Sequence, residues 1–426
     1  MQLFYYTIEM EKDYREKMEI IKRNVVARIT QEEPENEDDA LRIIAEEVFS
    51  FKGIENLSYE DKQTLIQKLF FKIRCKLNIL QPLIDDEDIS EIMVNGFDNI
   101  FYEKNGLIYK YETSFDNEEE LEDVMQSIAA YVHREINELH PIVDARLKNG
   151  SRVNGVYKNI AVNGHTMTIR KFSKKHMRME QLIENGTLTD EAARLLRILV
   201  TCGYNIFISG GTSSGKTTLI NALSDYIGKN ERVIVIEDST ELKISNVINL
   251  VQLECRNENA LGKGQVTMSD LIKNSLRMRP DRLIIGEIRG KEACDLLQAL
   301  NTGHAGMSTG HGNSVDGMLK RLETLYLMAV TMDVQAIREQ IAEGIDVLVH
   351  IDKINDRRQI VEITELLAYE KGSFVKNRLM CLRNDGTLVF TGNPLYNDKK
   401  IRLKGVKYDD ELRELGLKCF RETFFL

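Results

Sequence analysis

The sequence predicts an α/β protein. Its larger, C-terminal part reads as a mostly parallel sheet wrapped by helices, preceded by a smaller α+β domain and a helical N-terminal extension. Three observations predict this. Residues 205–223 read strand, glycine-rich loop, helix. From about residue 188 onward, short apolar runs alternate with helical segments, the order of a parallel sheet. Over residues 84–172 the pattern changes to hairpins around one helix, and residues 1–80 read as helical.

In the extension, Leu65, Leu69, Ile73 and Leu77 recur at helical spacing, with Lys62, Lys68, Lys72 and Lys76 on other faces. A basic amphipathic helix of this kind faces a membrane, a partner protein or simply water, and the solvated face over a small helical core is the favoured reading. The acidic stretch over residues 31–39 reads as a loop between helices. The domain at 81–172 opens with residues 100–103 and 107–110 flanking Asn105-Gly106, a strong hairpin signal. Residues 118–132 read as a helix. A second hairpin places residues 152–154 near 166–170, with Asn163-Gly164 in the turn. Strand alternation then puts Met167 and Ile169 on one face and Thr166, Thr168 and Arg170 on the other. Residues 173–187 form a basic linker. The last domain, 188–426, carries candidate strands at 206–209, 233–236, 283–285, 307–309 and 347–351. Residues 359–367 and the strands around Asn384-Asp385-Gly386 form a terminal β extension.

Composition bounds the function classes. The chain has 426 residues, enough for two or three domains, with 42% hydrophobic and 29% charged residues. No apolar run reaches the ~18 residues of a membrane span, and the N-terminus lacks a secretory signal pattern. The six cysteines, Cys75, Cys202, Cys255, Cys294, Cys381 and Cys419, form no C-x-x-C pair, which argues against a zinc site or a disulfide framework. The chain therefore reads as cytosolic. A formal net charge of −10 argues against stable binding to nucleic acid.

The chemistry begins at Gly210-Gly211-Thr212-Ser213-Ser214-Gly215-Lys216-Thr217, which fits the phosphate-binding pattern G-x-x-x-x-G-K-[ST]. Together with Thr218, these residues are the candidate nucleotide cradle. Backbone N–H groups and a helix N-terminus face the phosphates. Lys216 reaches the β- and γ-phosphates, and Thr217 holds Mg²⁺. Hydrolysis also needs carboxylates at the ends of neighbouring strands. Residues 232–236 end in Glu237-Asp238 with Glu241 close behind, and residues 282–285 end in Gly286-Glu287. An acid there orients or deprotonates water, or supports Mg²⁺ directly or through water. His304 and His311 stand in a glycine-rich stretch between a helix and a strand, where a γ-phosphate sensor is the candidate role. A guanine-reading N-K-x-D motif is absent, which argues against a GTPase switch.

Together these motifs resemble the secretion ATPases of the type II/type IV secretion and type IV pilus superfamily, above all its CpaF-type branch, which powers tight-adherence (Flp) pili. Residues 210–217 match its Walker A motif. Ile236-Glu237-Asp238-Ser239-Thr240-Glu241 resembles its Asp box, and Leu276-Arg277-Met278-Arg279-Pro280-Asp281 through Glu287-Ile288-Arg289-Gly290 resembles its atypical Walker B block. Thr302-Gly303-His304 through His311-Gly312-Asn313-Ser314 resembles its His box. Upstream, residues 141–147, 150–154 and 168–172 also resemble the family, so the likeness covers roughly residues 80–370.

The resemblance implies a RecA-like core and a Mg²⁺-dependent ATPase. It implies an ATP site between that core and the N-terminal domain, with Arg146, Arg152 and Arg170 answering phosphate charge. It further implies a homo-hexamer, an inner-membrane platform protein as partner, and a cytoplasmic location peripheral to the inner membrane. Pilin assembly or protein secretion is the first functional reading, and a conjugative or nucleic-acid-translocating ATPase of the same superfamily is the alternative. Some residues depart from the family pattern. Ser213 stands where this branch often has glycine, and Gly286 stands where an ordinary Walker B strand has aspartate. The direct Mg²⁺ contact is thus open among Thr217, Glu237, Asp238 and Glu287. A tetracysteine zinc insert is absent, and residues 1–80 and 371–426 carry little that matches the family.

Overall fold

The computed structural model describes residues 2–172, 177–256, 258, 263–355, 357–404 and 406–417. Cys419 and part of the basic linker lie outside them. The chain divides into two compact units, Met1–Lys174 and Lys175–Leu426.

The first unit opens with helices α1 (Gln2–Glu32), α2 (Glu37–Ser50) and α3 (Tyr59–Arg74). Asn36 caps α2 by accepting from Asp39 N–H, and Ser58 with Asp61 forms a capping box on α3. Their apolar stripes meet in one cluster that includes Ile21, Val25, Ile44, Val48, Leu65 and Leu69. A short α4 (Gln81–Asp85) leads to strands β1 (Ile89–Asn95), β2 (Ile100–Lys104) and β3 (Leu107–Lys110), then α5 (Glu118–Tyr131), then β4 (Ile142–Arg146), β5 (Arg152–Val156) and β6 (Thr166–Arg170). The sheet order is β3-β2-β1-β6-β5-β4, antiparallel at every pairing. Alternation along β6 buries Met167 and Ile169 beneath α5 residues Leu121, Met125 and Ile128, and leaves Arg170 exposed.

The lysine face of α3 is neither a free basic surface nor wholly solvated. The Lys72 side chain is 3% exposed and is ion-paired to Asp116 and to Glu120, the latter at 3.0 Å. Lys68 also reaches Asp116. These lysines tie the helical extension to the start of α5, because a buried ammonium needs carboxylate partners.

The second unit opens with α6 (Met179–Glu184) and α7 (Asp190–Thr201). Residues 179–184 carry no clear period in the sequence, yet Met179 and Leu182 are buried in the core of this unit. There follow β7 (Ile206–Gly210), α8 (Lys216–Ser224), β8 (Arg232–Glu237), β9 (Asn249–Glu254), α9 (Met268–Ser275), β10 (Arg282–Ile288), α10 (Glu292–Asn301), β11 (Ala305–His311), α11 (Val315–Leu327) and α12 (Val334–Gly344). Strands β12 (Val347–Ile354), β13 (Arg357–Glu370), β14 (Ser373–Leu382) and β15 (Leu388–Phe390), then α13 (Lys399–Lys404) and α14 (Val406–Glu414), complete it.

Among the described residues the sheet has nine strands, ordered β15-β14-β13-β12-β7-β11-β10-β8-β9. Pairings from β12 across to β9 are parallel, and the β13–β15 extension is antiparallel. This is the predicted α/β class, a RecA-like P-loop core. The fully buried β7 sits between β11 and β12, so the loop after it opens at the carboxyl edge of the parallel strands. Helices α7 and α8 cover one face and α9–α12 the other. Strand β9 was not foreseen. It is an edge strand with a half-exposed, weakly alternating pattern, so no continuous apolar run marks it. No helix among the described residues is long and apolar enough to cross a membrane.

Candidate active site

Strand β7 delivers the glycine-rich loop, and α8 starts at Lys216 with Gly215 as its N-cap. The first-turn N–H groups of α8 lack intrahelical partners and carry the positive end of the helix dipole, a ready anion site. Gly210 is required by contact: a Cβ there would lie 2.1 Å from the Ile351 carbonyl oxygen within β12. Ser213 adopts φ +57°, the left-handed region, which accounts for the glycine common at this position in the resembling branch. Arg358 on β13 steadies that residue, its Nε donating to the Ser213 carbonyl at 2.9 Å. The buried Ser214 Oγ has no hydrogen-bond partner among the described residues.

Lys216 is buried, with Nζ donating to the carbonyls of Gly211 at 2.7 Å and Gly210 at 3.2 Å. Its third neighbour is His311 Nδ1 at 3.3 Å, at the end of β11. An ammonium only donates, so Nδ1 accepts and the imidazole proton sits on Nε2. Nε2 lies 2.7 Å from Glu287 Oε1. Burial and the Lys216 charge push the His311 pKa down, which keeps the ring neutral in this tautomer. The imidazole approaches Oε1 closely but off the hydrogen-bonding line. Oε1 is buried and has no aligned partner among the described residues. A buried carboxylate oxygen in that state fits a water, free or held by a metal ion, as its donor.

The other Glu287 oxygen, Oε2, is held by Arg289 through Nη2 at 2.6 Å and Nε at 3.1 Å. Arg289 Nη1 stands 4.0 Å from Asp238 Oδ2, just past β8. Lys216, His311, Glu287, Arg289 and Asp238 thus form one row across the ends of β7, β11, β10 and β8.

Glu237 has a different place. It is 4% exposed, and its Oε1 accepts from the backbone N–H groups of Glu241 at 2.9 Å and Leu242 at 3.1 Å. It organises the loop that carries Asp238 and Glu241. A Cβ on Gly286 would sit 2.9 Å from Glu237 Cγ. The absent Walker B aspartate is therefore explained by space: Glu237 occupies the volume its side chain would take. Thr217 and Thr218, in the first turn of α8, stand at the mouth of the loop.

His304 is not brought to this row. It precedes β11 while His311 ends it, and seven residues of strand span about 23 Å. Its Nδ1 lies 3.1 Å from both Thr302 Oγ1 and the Ala299 carbonyl, at the C-terminal end of α10. A helix end with unsatisfied carbonyls claims this histidine.

In the first unit, strand register sets three predicted arginines side by side. Arg146 pairs across from Arg152, Arg152 from Arg170, and Arg170 from Glu91. All lie on the sheet face opposite the buried Val153 and Ile169. Like charges directly opposed on a sheet are unfavourable unless counter-charges stand beside them, and Glu91 supplies one next to Arg170. Arg146 Nε also donates to the Gly150 carbonyl at 3.3 Å.

Sequence reasoning assigned no role to Arg289, although it lies inside the quoted Walker B block, and passed over Arg358 and His350. His350 is buried on β12 with Nδ1 2.9 Å from Ser209 Oγ. Only the spacing of Arg289 from Glu287, two residues apart at a strand end, carried a signal.

A family model described as Type II/IV secretion system protein matches residues 74–368. An uncharacterized protein of Methanocaldococcus jannaschii is 43% identical over 274 residues, covering 62% of this chain and 36% of that protein. The chain thus spans little more than a third of that relative. A putative conjugal transfer protein of Mycobacterium tuberculosis is 31% identical over 296 residues, covering 68% of this chain and 84% of the relative. Among solved structures, the VirB11 ATPase of the Brucella suis type IV secretion system, in complex with sulphate, is 28% identical with a TM-score of 0.36, covering 68% of this chain and 92% of that one.

Proposed function

The chain belongs to the type II/IV secretion system protein family, and from that premise we propose that it is a Mg²⁺-dependent ATPase whose turnover powers pilin assembly or protein secretion at the inner membrane. The observation that carries the chemistry is the row Lys216–His311–Glu287 at the mouth of the phosphate loop. The loop N–H groups and Lys216 bind the phosphates, and Glu287 Oε1 accepts from the attacking water. Thr217 and Glu287 are the residues to hold Mg²⁺, directly or through water, and the ion would supply charge neutralisation at the phosphates. The rank of Arg146, Arg152 and Arg170 answers phosphate charge during turnover, since guanidinium groups suit spread negative charge. His311, wedged between Lys216 and Glu287, registers the γ-phosphate. The working form is a homo-hexamer, peripheral to the membrane and docked on a platform protein.

One observation favours a second reading. The mycobacterial relative carries a conjugal-transfer name over 84% of its length, which supports a conjugative ATPase of the same family. Phosphate release by the purified chain tests both readings. The expected result is ATP- and Mg²⁺-dependent release that is lost in Lys216→Ala with the fold retained. Release from Lys216→Ala at the wild-type rate refutes the site. Stimulation by added DNA selects the conjugative reading, and indifference to DNA selects the first.

A further inference from the structure

The carboxylate proposed to activate water has one guanidinium partner among the described residues, Arg289, to which no motif assigns a role. Arg289 Nη2 and Nε converge on Glu287 Oε2 at 2.6 and 3.1 Å, while Oε1 is left buried and facing His311. The backbone that carries Arg289 is itself pinned. The N–H groups of Arg289 and Gly290 both donate to Glu292 Oε1, at 2.6 and 2.7 Å, in the first turn of α10. On its far side the guanidinium meets Asp238 from the neighbouring strand end.

We propose that Arg289 is a positioning residue for ATP hydrolysis: by clamping Oε2, it keeps Glu287 Oε1 turned into the site as the acceptor of the water proton. This rests on the ATPase reading above. In the step it serves, the water oxygen bonds to the γ-phosphorus as the bond from phosphorus to the β,γ-bridging oxygen breaks. The water proton passes to Oε1, ADP leaves with the bridging oxygen, and the proton is then released to phosphate or solvent. Without Arg289, the next cation along the row is Lys216. With Oε2 released, the Glu287 carboxylate is free to rotate and no longer holds Oε1 in its place beside His311 as the acceptor. An ion pair on a side chain 57% exposed contributes little to stability, so its weight falls on rate.

Arg378 is a matched comparison. It is also 57% exposed and also pairs with one glutamate, Glu362, at 2.9 Å, but on β14 and outside the row. Wild type, Arg289→Ala, Arg289→Lys and Arg378→Ala would be assayed as full chains for kcat and KM of ATP hydrolysis. Affinity for a fluorescent ATP analogue and thermal transitions would be measured in parallel. Arg289→Ala is expected to lower kcat by about 10- to 100-fold, the scale of an ångström-sized misplacement. Nucleotide affinity and thermal transition should stay near wild type. Arg289→Lys should recover part of kcat, because an ammonium still pairs with Oε2. Arg378→Ala should keep kcat within about twofold. Wild-type kcat in Arg289→Ala overturns this inference alone, and so does an equal fall in kcat for Arg378→Ala. A loss of nucleotide affinity as large as the loss of kcat also overturns it, by making Arg289 a nucleotide contact. Absence of phosphate release from wild type overturns the ATPase reading, and this inference with it.

Discussion

Replacing Gly286 with alanine should destabilise the protein through a single contact. In a strand, glycine to alanine ordinarily stabilises by roughly 0.5–1 kcal/mol, because alanine has less freedom to lose on folding. Gly286 lies outside the left-handed region, so its backbone does not oppose the change. The new Cβ, however, would lie 2.9 Å from Glu237 Cγ and 3.4 Å from its Oε1. Glu237 cannot swing away freely, because it is 4% exposed and its carboxylate holds the N–H groups of Glu241 and Leu242. Overpacking of this kind costs about 1–3 kcal/mol. For a unit of this size, that lowers the thermal transition by roughly 5 °C. The displaced loop carries Asp238, so turnover should fall as well.

A double-mutant cycle isolates the cause. Gly286→Ala and Glu237→Ala combined should be less destabilised than the sum of the two single changes, with a coupling of about 1 kcal/mol or more. Calorimetry on the four proteins is the assay. A Gly286→Ala protein as stable as wild type, or an additive cycle, would refute the claim that Glu237 fills the aspartate's place.

Glu287→Gln keeps the size of the side chain and removes the accepting charge. It should retain ATP binding while steady-state phosphate release falls by about 10²–10⁴; wild-type turnover would move the essential carboxylate to Asp238 or Glu241. Arg152→Ala, at the centre of the arginine rank, should slow hydrolysis by about 10³ if the rank answers transition-state charge. An unchanged rate at saturating ATP would assign the rank to some other anion. His350 supplies a pH dependence. Burial lowers its pKa, as does Lys216, against the opposing pull of Asp352 and Glu362, so the unfolded chain takes up a proton that the folded chain resists. Stability should therefore fall as pH drops through the ordinary histidine range near 6.5, and His350→Gln should flatten that slope. Unfolding midpoints across pH 5–8 would show it, and identical slopes for the two proteins would exclude His350 as the source.

The local parts of this protein were legible because their signals lie within a few residues. The run at 206–209, the glycine pattern to Lys216 and the following helix specify a strand–loop–helix whatever surrounds them, and the hairpin at Asn105-Gly106 is set by its own turn. Strand alternation correctly put Met167 and Ile169 inside and Arg170 outside. Edge strand β9 and helix α6 were not legible, since a half-exposed strand and a short helix leave weak periodicity.

What the sequence determined by itself was the α/β class, the phosphate loop and the set of acids, histidines and arginines worth weighing. Only the tertiary structure decided among them, because that choice depends on which strand ends meet. Sheet order puts His311 between Lys216 and Glu287 and leaves His304 at the far end of the same strand. Register lines up Arg146, Arg152 and Arg170 from three strands. Steric fit between residues 49 positions apart turns Glu237 into the partner of a glycine, and a contact across 145 positions sets Arg358 on Ser213. Such contacts arise from packing over long sequence separations, and no local pattern encodes them.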